Sequence, residues 1–99
     1  MTIKLVNRGS EGELLLEGRL DTTTAPEAEE VFNEVSERFE RVVLNFTGLE
    51  YVSSAGLRVL KRLHMTMKKK GGELVLCDVS KMVMEVFEMT GFAGLLKFE

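Results

Sequence analysis

Two adjacent serines, Ser53 and Ser54, followed by Ala55-Gly56-Leu57, are the residues whose types and spacing best suit chemistry. A hydroxyl at a helix start lies beside free backbone N–H groups and the positive end of the helix dipole, a setting that favours a phosphate or another anion. The flanking residues predict such a junction. Arg41-Val42-Val43-Leu44-Asn45-Phe46 is β-branched and aromatic and reads as a strand entering the serine turn. Leu57, Leu60, Leu63, His64 and Met67 then recur at three- and four-residue steps, which marks one face of a helix over residues 54–70. Ser54 is its expected cap. A phosphate on that serine is expected to accept from the N–H groups near Gly56 and Leu57. A second polar loop, Asp21-Thr22-Thr23-Thr24, also follows a strand and precedes a helix, and Thr24 with Glu27 has capping-box spacing.

Other chemistries lack their residues. His64 is the one histidine and reads as a core-edge side chain, and Cys77 as a small buried strand residue. No set of residues implies a metal or an organic cofactor, and neither GxxxxGK[ST] nor GxGxxG occurs. The formal charge of -3 argues against nucleic acid as a general partner, although Arg58, Lys61, Arg62, Lys68 and Lys69 line the outward face of the second helix. No apolar run reaches the ~20 residues that cross a bilayer, and the N-terminal residues alternate instead of forming a signal sequence. A cytoplasmic location is expected.

The supporting elements follow from pattern. With 99 residues, 44% of them hydrophobic and 29% charged, one domain with one core is expected over residues 1–99. Thr2 to Asn7 and Glu13 to Gly18 read as an antiparallel hairpin across a four-residue turn. Ala25, Ala28, Val31, Phe32, Val35 and Phe39 mark the buried stripe of a first helix, entered through Pro26. Gly71-Gly72 ends the second helix and Glu73 to Cys77 is a fourth strand, covered on its faces. Ser80 caps a third helix with a stripe of Met82, Val83, Val86 and Phe87; Met89 reads as core, Met84 as outward, and Leu95 to Phe98 as a short last strand. Strand–helix–strand connections of this length favour parallel pairing. The fold class is therefore α/β: a small mixed sheet of four to five strands with an N-terminal antiparallel hairpin and three main helices. Functional sites in such sheets lie at the carboxyl ends of strands, the rim where Asp21 and Ser53-Ser54 are expected.

Gly18-Arg19-Leu20-Asp21, Val43-Leu44-Asn45, Ser53-Ser54-Ala55-Gly56-Leu57, Gly72 to Cys77 and Phe87-Glu88-Met89-Thr90-Gly91 together resemble the bacterial anti-sigma factor antagonists of the STAS superfamily. The resemblance implies a module that binds an anti-sigma factor/serine kinase and thereby frees a sigma factor. It also implies a phosphoacceptor serine and a metal-dependent serine phosphatase that reverses the modification. Aligned on Gly56, the acceptor falls on Ser54, with Ser53 as the alternative, and Asp21 matches an aspartate near the acceptor. Ser53 stands where that family's turn carries aspartate, and Ala55 lies between acceptor and glycine.

The candidate partner contacts are Asp21, Thr22, Thr23, Ser53, Ser54, Ala55, Gly56 and Arg58. For Gly56, the expected role is to leave room for a partner at the helix start. The leading functional reading is a non-catalytic binding module switched by phosphorylation at Ser54. The alternatives are a STAS scaffold that is never phosphorylated, within a larger sensory complex, and a nucleotide-binding, phosphate-handling protein.

Overall fold

Thr2–Arg8 (β1) and Glu11–Leu20 (β2) pair antiparallel in the computed structural model, which describes residues 1–99. The turn between them is two residues, Gly9-Ser10, rather than four: Arg8 pairs directly with Glu11. Gly9 takes the positive φ of 83° that a tight hairpin turn requires, and Asn7 Oδ1 accepts its N–H at 3.0 Å.

Beyond the hairpin come α1 (Ala25–Arg38), β3 (Arg41–Val52), α2 (Ser54–Lys69), β4 (Glu73–Cys77) and α3 (Lys81–Thr90). β3 pairs parallel with both β2 and β4, so the four-stranded sheet has the order β1-β2-β3-β4. β3 runs six residues past Phe46, to Val52, and this delivers Ser53 straight from the sheet into α2 without an intervening loop. Leu95–Phe98 forms no strand. After a single 3-10 turn at Phe92–Gly94, Phe98 makes one parallel bridge to Leu76.

Side chains alternate across a strand, which divides the sheet into two unlike faces. Leu14, Leu16, Val42, Leu44, Phe46, Leu74 and Leu76 join Phe32, Leu60, Leu63, Val83 and Phe87 in one core, so all three helices cover the same face. The other face carries a row of register neighbours, Glu11, Arg41 and Glu73, in which Arg41 bonds both carboxylates and Glu99 as well. Glu73 in turn pairs with Lys97, which with Arg41 holds its carboxyl below the usual range. β4 is thus roofed by helices on one face only. Val75 is nonetheless fully buried on the ionic face, beside its register partner Val43.

The caps follow local chemistry. Lys70 donates to the carbonyls of Phe39 (2.9 Å) and Ser36, tying the end of α2 to the end of α1. Ser80 Oγ accepts from Val83 N at 3.2 Å and starts α3, and Gly91, at φ 83°, stops it. On α3 the buried stripe centres on Val83 and Phe87. Met82 and Met89 lie roughly 120° or more round the helix from that centre and are 67% and 87% exposed, whereas Met84 packs against the core, opposite to the spacing expectation. No helix is long and apolar enough to cross a membrane.

Candidate functional site

The carboxyl ends of β2 and β3 are joined at their tips, where Ser53 N donates to the Leu20 carbonyl at 2.9 Å. This bond brings the two polar loops predicted from sequence to one rim. They turn out to be built alike. Ser53 Oγ accepts from Gly56 N at 3.3 Å while its carbonyl accepts from Leu57 N at 2.8 Å. Asp21 Oδ1 accepts from Thr24 N at 3.1 Å while its carbonyl accepts from Ala25 N at 2.8 Å. Each residue therefore caps the turn that leads into a helix, satisfying donors the helix cannot satisfy itself.

Three expectations change as a result. Ser53, not Ser54, is the cap of α2, because β3 stays extended through Val52 and leaves Ser53 as the last extended residue. Ser54 is the first helical residue and is exposed. The N–H groups of Gly56 and Leu57 are already held by Ser53, so a phosphate on Ser54 does not find them free. The Thr24–Glu27 capping box also does not form. Thr24 Oγ1 instead donates to the Arg19 carbonyl at 2.7 Å and accepts from Asp21 N at 2.9 Å, closing the loop on itself.

Asp21 is held ionised by its surroundings. The Thr24 N–H bond, with those from Thr23 N and Thr24 Oγ1 and the Arg19 charge, keeps its carboxyl below the ordinary aspartate value. Arg19 lies 3.8 Å from Asp21 and places its guanidinium 4.4 Å over the ring of Tyr51. Neither Arg19 nor Tyr51 was singled out for the site from sequence. The signal that finds them is positional: each lies two residues before its capping residue, and the parallel register pairs them directly.

Thr22, Ala55 and Arg58 meet in a shallow groove of about 250 Å³ between the starts of α1 and α2, which Pro26, Glu29 and Arg62 complete. Thr23 is exposed on its loop and does not line the groove. Gly56 does not reach the surface. It is buried, and a Cβ there would lie 2.8 Å from both the Leu20 carbonyl oxygen and Leu20 Cγ. Its lack of a side chain therefore admits β2, not a partner. His64 is ten residues along α2 from Ser54, ~15 Å by helical rise, and half-buried beside Gly72 and Glu73. The structure does not bring it to the serines.

The cap assignment carries a direct test. Ser53→Ala is expected to lose about 1 kcal/mol of stability, which lowers the thermal midpoint by roughly 4–8 °C in a domain of this size. Ser54→Ala should leave the midpoint nearly unchanged. Thermal unfolding followed by circular dichroism separates the two, and the reverse ranking would return the cap to Ser54.

The model of the STAS domain matches residues 3–99. The chain is 40% identical over 81 residues to BtrV of Bordetella bronchiseptica, a candidate anti-sigma factor antagonist, covering 81% of this chain and 70% of that protein. It is 32% identical over 83 residues to the anti-sigma F factor antagonist of Paenibacillus polymyxa, covering 82% and 71% of the two. An anti-sigma factor antagonist structure from Mycobacterium paratuberculosis superposes with a TM-score of 0.86 over 98% of this chain and 83% of that one, at 18% identity, so the mixed sheet with helices on one face recurs there. A match across nearly the whole length, a relative 40% identical and the shared fold lead to one assignment: this chain belongs to the STAS domain family.

Proposed function

We propose that the protein is a cytoplasmic anti-sigma factor antagonist. In this reading it is a non-catalytic module that binds an anti-sigma factor/serine kinase, frees the sigma factor, and is switched off by phosphorylation of Ser54 until a serine phosphatase restores it. The similarity to anti-sigma factor antagonists supports the antagonist role. The observation that carries the switch is the division of labour between the serines. Ser53 Oγ is committed to the helix cap, while the Ser54 hydroxyl is exposed on the same rim and has no structural task.

Ser53 occupies the position where the family motif has aspartate, and it performs the task that aspartate can perform there. Both offer an oxygen to the N–H three residues on, so the altered turn keeps its cap. In the transfer, Ser54 Oγ bonds to the γ-phosphorus of ATP and its proton passes to a base on the kinase. The β–γ bridging P–O bond breaks and ADP leaves. The product adds ~1.5 to 2 negative charges to the rim. A partner packed flat there meets a new desolvation cost, and a tenfold loss of affinity requires only ~1.4 kcal/mol.

The test incubates the protein with ATP and a candidate anti-sigma kinase from the same genome, followed by intact-mass and site-mapping analysis, with binding of Ser54→Asp measured in parallel. One added phosphate on Ser54 and at least tenfold weaker binding by Ser54→Asp are expected. Modification at Ser53 would overturn the acceptor assignment. Binding without any phosphate would leave an antagonist regulated some other way, whereas the absence of both would favour the unmodified scaffold reading, for which the Ser53 departure is the specific observation.

A further inference from the structure

The chain has six arginines, and five of them sit in ion pairs: Arg8 with Glu13, Arg19 with Asp21, Arg38 with Glu34, Arg41 with three glutamates, and Arg62 with Glu29. Arg58 has no acidic partner. It lies one helical turn after Ser54, exposed, on the same side of α2. At 100° per residue, Arg58, Lys61, Met65 and Lys68 all fall within about 40° of Ser54 around the helix axis. No aspartate or glutamate occurs anywhere in α2, so Ser54 stands at the head of a stripe whose charges are all positive and repel one another.

We propose that Arg58 is the internal counter-cation of phosphorylated Ser54, closing over the phosphate from one turn away and leaving the groove it shares with Thr22 and Ala55. The proposal rests on the reading of Ser54 as phosphoacceptor. An anion one turn N-terminal to a cation is the favoured order on a helix, and a guanidinium can meet two phosphate oxygens at once. The other cations are less able to serve. Arg62 is engaged by Glu29 at 2.8 Å, and Lys61 is two turns along, ~10 Å in rise. The modification then acts twice on one surface: it adds an anion and withdraws the cation that an acidic group on the partner would otherwise meet. The modified domain also gains stability, because the stripe loses part of its self-repulsion.

The experiment uses the full 99-residue chain with phosphoserine installed at position 54 during synthesis, so that no kinase is needed. Phosphorus NMR follows the second ionisation of the phosphate in this chain and in its Arg58→Gln, Arg58→Lys and Lys61→Gln variants. A cation at the phosphate favours the dianion, so the ionisation should fall at lower pH with Arg58 present. The expected difference from Arg58→Gln is roughly half a pH unit, shrinking at high salt. Arg58→Lys should keep part of it, and Lys61→Gln should behave as the parent. The thermal midpoint should rise on phosphorylation in the parent and rise less in Arg58→Gln. Equal ionisation in the parent and Arg58→Gln, with both folded by circular dichroism, would overturn the proposal. Because the phosphate is installed chemically, a shift seen without any responsive kinase would sink the phosphoacceptor reading alone, and kinase action without a shift would sink the clamp alone.

Discussion

Phe87→Ala is expected to cost about 3–5 kcal/mol, a large part of the stability of a domain of this size. Phe87 is fully buried, and its ring lies between Phe46 at 6.0 Å and Phe98 at 5.7 Å, both tilted. It is therefore the contact through which α3 and the C-terminal segment are both fastened to the sheet. The segment is also held by two backbone bonds, from Leu76 N to the Lys97 carbonyl and from Glu99 N to the Leu76 carbonyl, each at 2.9 Å. The buried Leu96 and the ion pairs of Lys97 with Glu73 and Glu99 with Arg41 hold it too. With the ring removed, α3 and residues 92–99 should lose hydrogen-exchange protection before the β2–β3 pair does. Urea unfolding should show a lower midpoint with little change in slope. A loss under about 1 kcal/mol would mean that α3 settles into the vacated space and that the aromatic triad is not the fastening.

The second large effect is expected at Gly56. In an exposed helix, Gly→Ala gains ~1 kcal/mol from backbone propensity. Here the added Cβ would lie 2.8 Å from the Leu20 carbonyl oxygen and 3.1 Å from Val52 Cγ1. The carbonyl cannot retreat freely, because it accepts the Ser53 N–H at 2.9 Å. Overpacking against backbone outweighs the propensity gain, and a net loss of about 1–3 kcal/mol is expected for Gly56→Ala. The damage should be local as well as global. Pushing α2 off β2 strains the one hydrogen bond that joins the two capping loops, so partner binding should weaken together with stability. Gly94→Ala is the matched control: nothing lies within 4 Å of its added Cβ, and its midpoint should hardly move. A Gly56→Ala protein as stable as the parent would show that α2 can shift outward without loss, and that close approach to Leu20 does not define the rim.

Much of this arrangement was legible in the residues themselves. The apolar steps of α1 and α2, the Ser80 and Gly91 boundaries of α3 and the Gly71-Gly72 stop all rest on interactions within a few residues, which spacing reports directly. The family motifs likewise placed Ser54 and Asp21 on adjoining loops. The errors occurred where a local pattern admitted two answers. Both Ser53 and Ser54 can cap a helix, and only the continuation of β3 along β2 to Val52 decides that Ser53 does so. Met82, Met84 and Met89 fit a helix equally well, and the way α3 leans on Phe46 and Phe98 decides which of them is covered.

By itself, then, the sequence determined the four strands and three helices, their order, the parallel crossovers and the serine-bearing helix start, though not the end of the chain, because hydrophobic period and capping chemistry act over short distances along the chain. Only the tertiary structure decided that Gly56 faces Leu20, that Arg19 stacks on Tyr51, that Thr22 and Arg58 share a groove, and that Arg58 alone among the arginines lacks an acid. Those facts depend on strand register and on the approach of a helix to a sheet, which bring together residues about thirty or more positions apart, a separation over which spacing along the chain carries no information.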